Sequence, residues 1–77
     1  MPRPRLIITE HAAERFKRRG KARGLLTNDA ALRNYAKRAK SAAGVTPDGG
    51  NVEVGYAGLT WQFKIENGGW TLLTVTT

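Results

Sequence analysis

Residues 51–66 have the sequence NVEVGYAGLTWQFKIE, and this stretch decides the fold. On both sides of Ala57-Gly58, apolar side chains alternate with polar or small ones. Alternation with a period of two residues is typical of strands that bury one face. A turn at Ala57-Gly58 would place Val54 opposite Trp61, so that the apolar faces of the two strands coincide. The stretch therefore predicts an antiparallel hairpin.

A third strand is predicted at residues 70–76, after the loop Asn67-Gly68-Gly69. Its register is open, and a slip of one residue moves every side chain to the other face of the sheet. A two-residue turn would place three side chains on the core face, namely Trp70, Leu72 and Thr74.

A three-residue loop, with Gly69 in the left-handed conformation, would instead place Leu73 and Val75 on the core face. We favour this register, because it pairs Val75 with Trp61. Thr74 then lies on the other face, opposite Gln62.

A short helix is predicted in front of the sheet, at about residues 10–19, within the sequence TEHAAERFKRRG of residues 9–20. The Thr9 hydroxyl can accept a backbone N–H at the start of this helix, and Gly20 can adopt the left-handed conformation that ends it. Leu25 and Leu26, which follow, are expected to return to the core.

A second helix is predicted at about residues 29–43, with a cap at Thr27, Asn28 or Asp29 and a stop at Gly44. Its apolar residues recur with the helical period and form one face. That face consists of Leu32, Tyr35, Ala36, Ala39 and Ala43.

The order of elements predicts an α+β domain, in which two N-terminal helices pack on one face of an antiparallel meander sheet. The sheet has three strands, or four if residues 6–9 add an edge strand. Residues 1–77 are expected to form a single domain with a small core. It would comprise a flexible basic arm at 1–5, a basic helical half at 6–43 and the sheet at 51–77.

The charge is unevenly distributed along the chain. The net charge is +7, and twelve of the 13 lysine and arginine residues lie within residues 1–43. Such asymmetry favours a polyanionic partner, with nucleic acid first. The simpler alternative is a solvated helix surface. A membrane surface is disfavoured, because neither helix pairs its basic face with large apolar residues.

Several classes of function are excluded by composition. The chain has no cysteine, which excludes disulfides and thiolate chemistry, and a single histidine cannot form a multi-histidine metal centre. No cofactor motif is present, so we expect neither metal nor cofactor. The apolar run at residues 6–8 is too short for a signal peptide, so a cytoplasmic location is expected.

The histidine, His11, suggests one chemistry that needs no metal. In RNA the 2′-hydroxyl is an internal nucleophile, so an enzyme has to move a proton and neutralise the charge on phosphorus. An imidazole gains or loses a proton near neutral pH. Arg15 lies one helical turn away, with Arg18 or Arg19 a further turn on, and guanidinium groups bind phosphate oxygens in pairs. The alternative is that His11 is an ordinary surface residue.

The segments TEHAAERFKRRG and GYAGLTWQFKIENGGWTLLTVTT resemble the RelE-like ribonuclease toxins of the barnase–EndoU–colicin–RelE superfamily. The shared features are an H-A-x-x-R-x-x-x-R-G helix and a last strand that ends in T-V, and the likeness covers about residues 7–76. It implies metal-independent RNA cleavage and often a paired antitoxin or immunity protein. It carries over His11, Arg15, Arg19 and Thr74 as the catalytic residues, with Lys64 as a weaker addition.

Further residues are expected to contact the nucleic acid, with RNA favoured over DNA. They are Arg18, Lys21, Arg23, Arg33, Lys37, Lys64 and Trp70. Trp61 lies on the apolar alternation and is expected in the core, whereas Trp70, beside the turn, is the better candidate for stacking on a base. Tyr35 and Tyr56 are possible second proton carriers, and for Tyr35 a core position is favoured.

Two functions are thus compatible with the sequence. The first is a metal-independent ribonuclease with a toxin-like or phage-borne role. The second is a non-catalytic small basic protein of a phage or host that binds nucleic acid or inhibits a host enzyme.

Overall fold

The computed structural model describes residues 6–44, 50–66 and 68–77. Its elements are β1 (Leu6–Ile8), α1 (Glu10–Ala22), α2 (Asp29–Ala43), β2 (Asn51–Tyr56), β3 (Leu59–Glu66) and β4 (Gly69–Thr76). The α+β class and the placement of both helices before the main sheet are confirmed. The predicted flexible arm at 1–5 lies outside the described residues.

The sheet has four strands in the order β1-β4-β3-β2. Strands β2, β3 and β4 form the predicted antiparallel meander, but β1 pairs with β4 in parallel, with Leu6 opposite Trp70 and Ile8 opposite Leu72. The sheet is therefore mixed, and the expectation of a purely antiparallel sheet is wrong. A parallel neighbour requires a long connection, and here both helices and the meander separate β1 from β4 along the chain.

The hairpin between β2 and β3 has the predicted register, with Val54 opposite Trp61 and Val52 opposite Phe63. Its turn has a positive φ at both central residues, 55° at Ala57 and 77° at Gly58. These are the φ signs of the type I′ turn, which matches the twist of paired strands. Glycine adopts such a φ without strain, whereas alanine does not.

Strand β4 contains a β-bulge that combines both registers considered from the sequence. Next to the turn, Glu66 pairs with Gly69 and Phe63 with Leu72, as a two-residue turn requires. The register shifts between Phe63 and Gln62, and beyond the shift Trp61 pairs with Val75. Leu73 is the extra residue of the bulge. Each register is therefore correct for one half of the strand.

Trp61 is the centre of the core. Its side chain is fully buried, and its indole N–H donates to the Tyr56 carbonyl at 2.9 Å. The Phe16 ring of α1 lies 5.7 Å from the Trp61 ring, and the Tyr35 ring of α2 lies 6.4 Å from it. Both helices thus pack on the same face of the sheet, as predicted, and Tyr35 is partly buried and packs against the core.

Helix α1 does not end at Gly20, and this prediction is wrong. The helix continues to Ala22 and ends in a Schellman motif, in which Leu25 N–H donates to the Gly20 carbonyl and Gly24 N–H to the Lys21 carbonyl. The left-handed residue is Gly24, with φ 74°. Gly20 is buried instead, and a Cβ there would lie 3.2 Å from Thr27 Cγ2. The absence of a side chain at Gly20 therefore allows Thr27 to pack closely against the helix.

Thr9 ties α1 to the sheet. Its hydroxyl accepts the Ala12 N–H at 3.1 Å, which is the predicted cap, and donates to the Leu72 carbonyl of β4 at 2.9 Å. At the second helix, Asn28 is the cap and Gly44 follows the last turn, as expected. One side chain therefore fixes both the start of α1 and its position over β4.

We predict that Thr9→Ala lowers the free energy of unfolding by about 1–2 kcal/mol, because both the cap and the bond to β4 are lost. Thr9→Ser retains the hydroxyl and should recover most of that difference. Urea denaturation followed by circular dichroism measures both variants. Equal stability of the alanine and serine variants would contradict this role of the hydroxyl.

We also predict that Ala57→Asn raises the free energy of unfolding by about 0.5–1 kcal/mol, because asparagine tolerates a positive φ and Asn-Gly suits a type I′ turn. Ala57→Val should lower it, since a β-branched residue is strained there. Thermal denaturation of the three proteins is the measurement. A valine variant as stable as the asparagine variant would show that the turn is not strained.

Candidate functional site

Helix α1 runs alongside the second half of β4. Thr9, at its start, is bonded to Leu72, and Arg19, ten residues later, donates from Nη1 to Thr77 Oγ1 at 3.2 Å. Ten helical residues rise roughly 15 Å, and the strand from Leu72 to Thr77 spans about the same length. The side of α1 that carries Arg15 and Arg19 therefore follows β4 to its end.

The predicted stripe of His11, Arg15 and Arg19 lies on this side of α1. His11 is exposed, whereas Arg15 and Arg19 are half-buried. The Nε atom of Arg19 is buried and has no hydrogen-bond partner within the described residues. Arg18 is exposed and lies 3.5 Å from the Glu14 carboxylate. The stripe thus presents an imidazole at one end and a guanidinium held by Thr77 at the other.

Thr74 and Lys64 occupy a different face. Thr74 pairs with Gln62, between Leu72 and Val75, which are both buried under the helices. Its hydroxyl therefore projects from the sheet face that carries no helix. Lys64 lies on that same face, with its Nζ 3.8 Å from the Glu66 carboxylate. The structure does not bring these two side chains into the stripe.

Trp70 is not free beside the turn, and that expectation is wrong. Its side chain is only 8% exposed and belongs to the core. The Phe63 ring packs edge-on against it at 5.3 Å, and the Lys40 ammonium lies 5.6 Å from its centre. A cation over an aromatic face is favourable, but it leaves no room there for a base to stack. Trp61 is in the core, as expected.

The exposed cations of the helical half form what we call the basic helical surface. It consists of Lys17, Arg18, Lys21, Arg23, Arg33, Lys37 and Arg38, all exposed. Among the described residues, the only ion pair that involves this surface is the one between Arg18 and Glu14. Exposed pairs of this kind are weak. The surface therefore keeps nearly its full positive charge.

Sequence reasoning missed a cavity beside α2. It has a volume of about 190 Å³ and is lined by Leu26, Ala31, Asn34, Tyr35 and Arg38. Leu26, expected in the core, is 72% exposed, whereas Leu25 packs against the core. The spacing of residues 31, 34, 35 and 38 along one side of a helix was the only available signal. Nothing in the sequence placed Leu26 beside them.

A second cavity lies at the helix-free face, with a volume of about 260 Å³. Its lining consists of Asn51, Val52, Glu53, Gln62, Phe63 and Leu73. The Gln62 amide donates to Glu53 at 3.0 Å. Its lining contains a carboxylate and no cation, so the cavity is a poor site for a phosphate.

Within residues 6–44, 50–66 and 68–77, no three histidine, aspartate or glutamate side chains are grouped so that they could hold a metal ion. No helix in this part of the chain is long and apolar enough to cross a membrane.

Comparison with known proteins gives no match. No family model, no curated protein and no solved structure is significantly similar to the chain. The resemblance to RelE-like toxins therefore rests on the sequence motifs alone.

Proposed function

We propose that the protein binds single-stranded RNA through the basic helical surface. The observation that supports this is the concentration of exposed cations on the helical half, where Arg18 is the only one that faces a carboxylate among the described residues. Cations that neutralise phosphates release condensed counterions, which drives binding to nucleic acid. The choice of RNA over DNA follows the resemblance to ribonuclease toxins.

The charges on the opposite face of the molecule also favour binding of the nucleic acid at the helices. The helix-free face of the sheet carries Glu53, Glu66 and Lys64, and the lysine lies beside Glu66. A polyanion is attracted to the side on which positive charge is not offset. The nucleic acid would therefore lie across the helices and leave this face free.

We predict that Lys37→Gln weakens binding of a single-stranded RNA roughly 2- to 5-fold and reduces the slope of log K against log salt by about 0.7, the value for one phosphate contact. Lys64→Gln makes the same change of charge on the helix-free face and should leave both quantities unchanged. Fluorescence anisotropy at several salt concentrations measures them.

Equal effects of the two substitutions would contradict the assignment to the helical surface. Binding that does not respond to salt would contradict the electrostatic basis of the proposal altogether.

A second candidate function is metal-independent cleavage of the bound RNA, favoured by the exposed His11 one turn from Arg15. The neutral imidazole would accept the proton of the 2′-hydroxyl while that oxygen attacks phosphorus. The bond to the 5′ oxygen then breaks, leaving a 2′,3′-cyclic phosphate, and the leaving oxygen takes up a proton from the imidazolium or from water. Arg15 would stabilise the charge on the phosphorane.

Cleavage would give the protein the cytoplasmic role of a toxin, kept inactive by an antitoxin or immunity protein. Without cleavage, the same surface would serve a small phage or host protein that binds nucleic acid or inhibits a host enzyme. Activity at His11 separates these two roles, because only the first depends on proton transfer.

We predict that His11→Ala abolishes RNA cleavage in the presence of EDTA and changes RNA affinity by less than about twofold, because the loss of a proton acceptor affects catalysis far more than binding. Thr74→Val, assayed in the same way, tests whether Thr74 contributes to cleavage, as the resemblance implies. The readout is the appearance of 2′,3′-cyclic phosphate ends. A wild-type protein that produces none would refute cleavage and leave the binding proposal intact.

A further inference from the structure

The cavity beside α2 has the size of a subsite for one small planar group. Its volume is about 190 Å³, below the roughly 300–1,000 Å³ of sites for drug-sized ligands. A folded partner or a helix would not fit into it. A single ring system with its substituents is the class of group that it can take.

One wall of the cavity is rigid. The Tyr35 ring lies 5.8 Å from Phe16, 6.4 Å from Trp61 and 6.2 Å from Tyr56. These contacts hold the ring in one position while it remains half-buried. Leu26 and Ala31 add apolar surface. A flat apolar ligand would therefore meet a surface that needs no rearrangement, and this lowers the cost of binding.

The remaining wall is polar and has the donors and acceptors that a base requires. Asn34 and Arg38 lie one helical turn apart, and both are exposed. An amide offers two donors and an acceptor, which can pair with the edge of a base. A guanidinium plane can stack on a ring or bind the adjoining phosphate.

The position of the cavity connects it with the basic helical surface. Arg38 belongs to both, and Arg33 and Lys37 are exposed on the same helix. A strand with a phosphate in contact with Arg38 would pass the mouth of the cavity. The charge around the cavity thus favours a polyanion over an apolar peptide.

We propose that this cavity holds one unpaired base of an RNA strand bound to the basic helical surface. The inference rests on the proposed RNA binding and adds a base-recognition subsite to it. Recognition of this kind is suited to single strands, whose bases are free to turn out and stack on protein side chains.

The test compares two oligonucleotides of equal length and charge, one with bases and one composed of abasic sugar-phosphate units. Fluorescence anisotropy at fixed salt should show that the wild-type protein prefers the first by roughly 5- to 150-fold, the range for stacking of one base. Ala31→Trp fills the cavity and should remove this preference without changing affinity for the abasic strand. Ala42→Trp, at an exposed position of the same helix outside the cavity, is the matched control.

Each outcome has a distinct meaning. Equal wild-type affinity for both strands, or equal effects of the two tryptophan substitutions, overturns the base subsite while RNA binding stands. Failure of both strands to bind overturns the proposed function itself. If Ala31→Trp does not fold, Leu26→Ala and Asn34→Ala give the same comparison, because both side chains are exposed at the cavity. Unchanged preference in both of these variants would overturn the subsite.

Discussion

The burial of one tryptophan organises the molecule. Trp61 lies near the start of the hairpin strand β3, is fully buried, and packs against an aromatic ring from each helix. A domain of 77 residues has a small core, so the few large side chains decide which elements pack together. The bond from its indole N–H to Tyr56 satisfies the only polar atom of the side chain. The two helices therefore share one face of the sheet, and their cations form one surface.

The parts of the fold that depend on local patterns were predictable. Alternation gave the register of the hairpin, and helical periodicity gave the span of α2. The bulge in β4 was not predictable, because both registers agree with the alternation over half of the strand and the shift depends on contacts elsewhere. One such contact is Thr9, whose hydroxyl lies at the Leu72 carbonyl and 3.3 Å from the Leu73 carbonyl. Gly20 shows a similar limit, since a glycine that ends a helix and one that permits close packing look alike in sequence.

The candidate site was predictable to a similar degree. Helical spacing is sufficient to align His11 with Arg15, since both belong to one element. Trp70 was expected to be exposed because it follows a turn, but the parallel pairing with Leu6 and the approach of Lys40 enclose it. The cavity beside α2 needed the position of Leu26 relative to the helix, which no local rule supplies. Relations within an element follow from the sequence, whereas relations between elements require the tertiary structure.

The position of Thr74 limits where a ligand could contact it together with His11 and Arg19. The register that pairs Val75 with Trp61 also turns Thr74 away from the helices. Thr74 therefore points from the face of the sheet opposite to α1, which carries His11. Strand β1 pairs only with residues 70–72 of β4, and beyond them the described residues add no strand to that edge. Arg19 reaches Thr77 at the end of this same edge. A ligand that touched His11, Arg19 and Thr74 together would have to lie along the uncovered edge, because only there do the two faces of β4 meet.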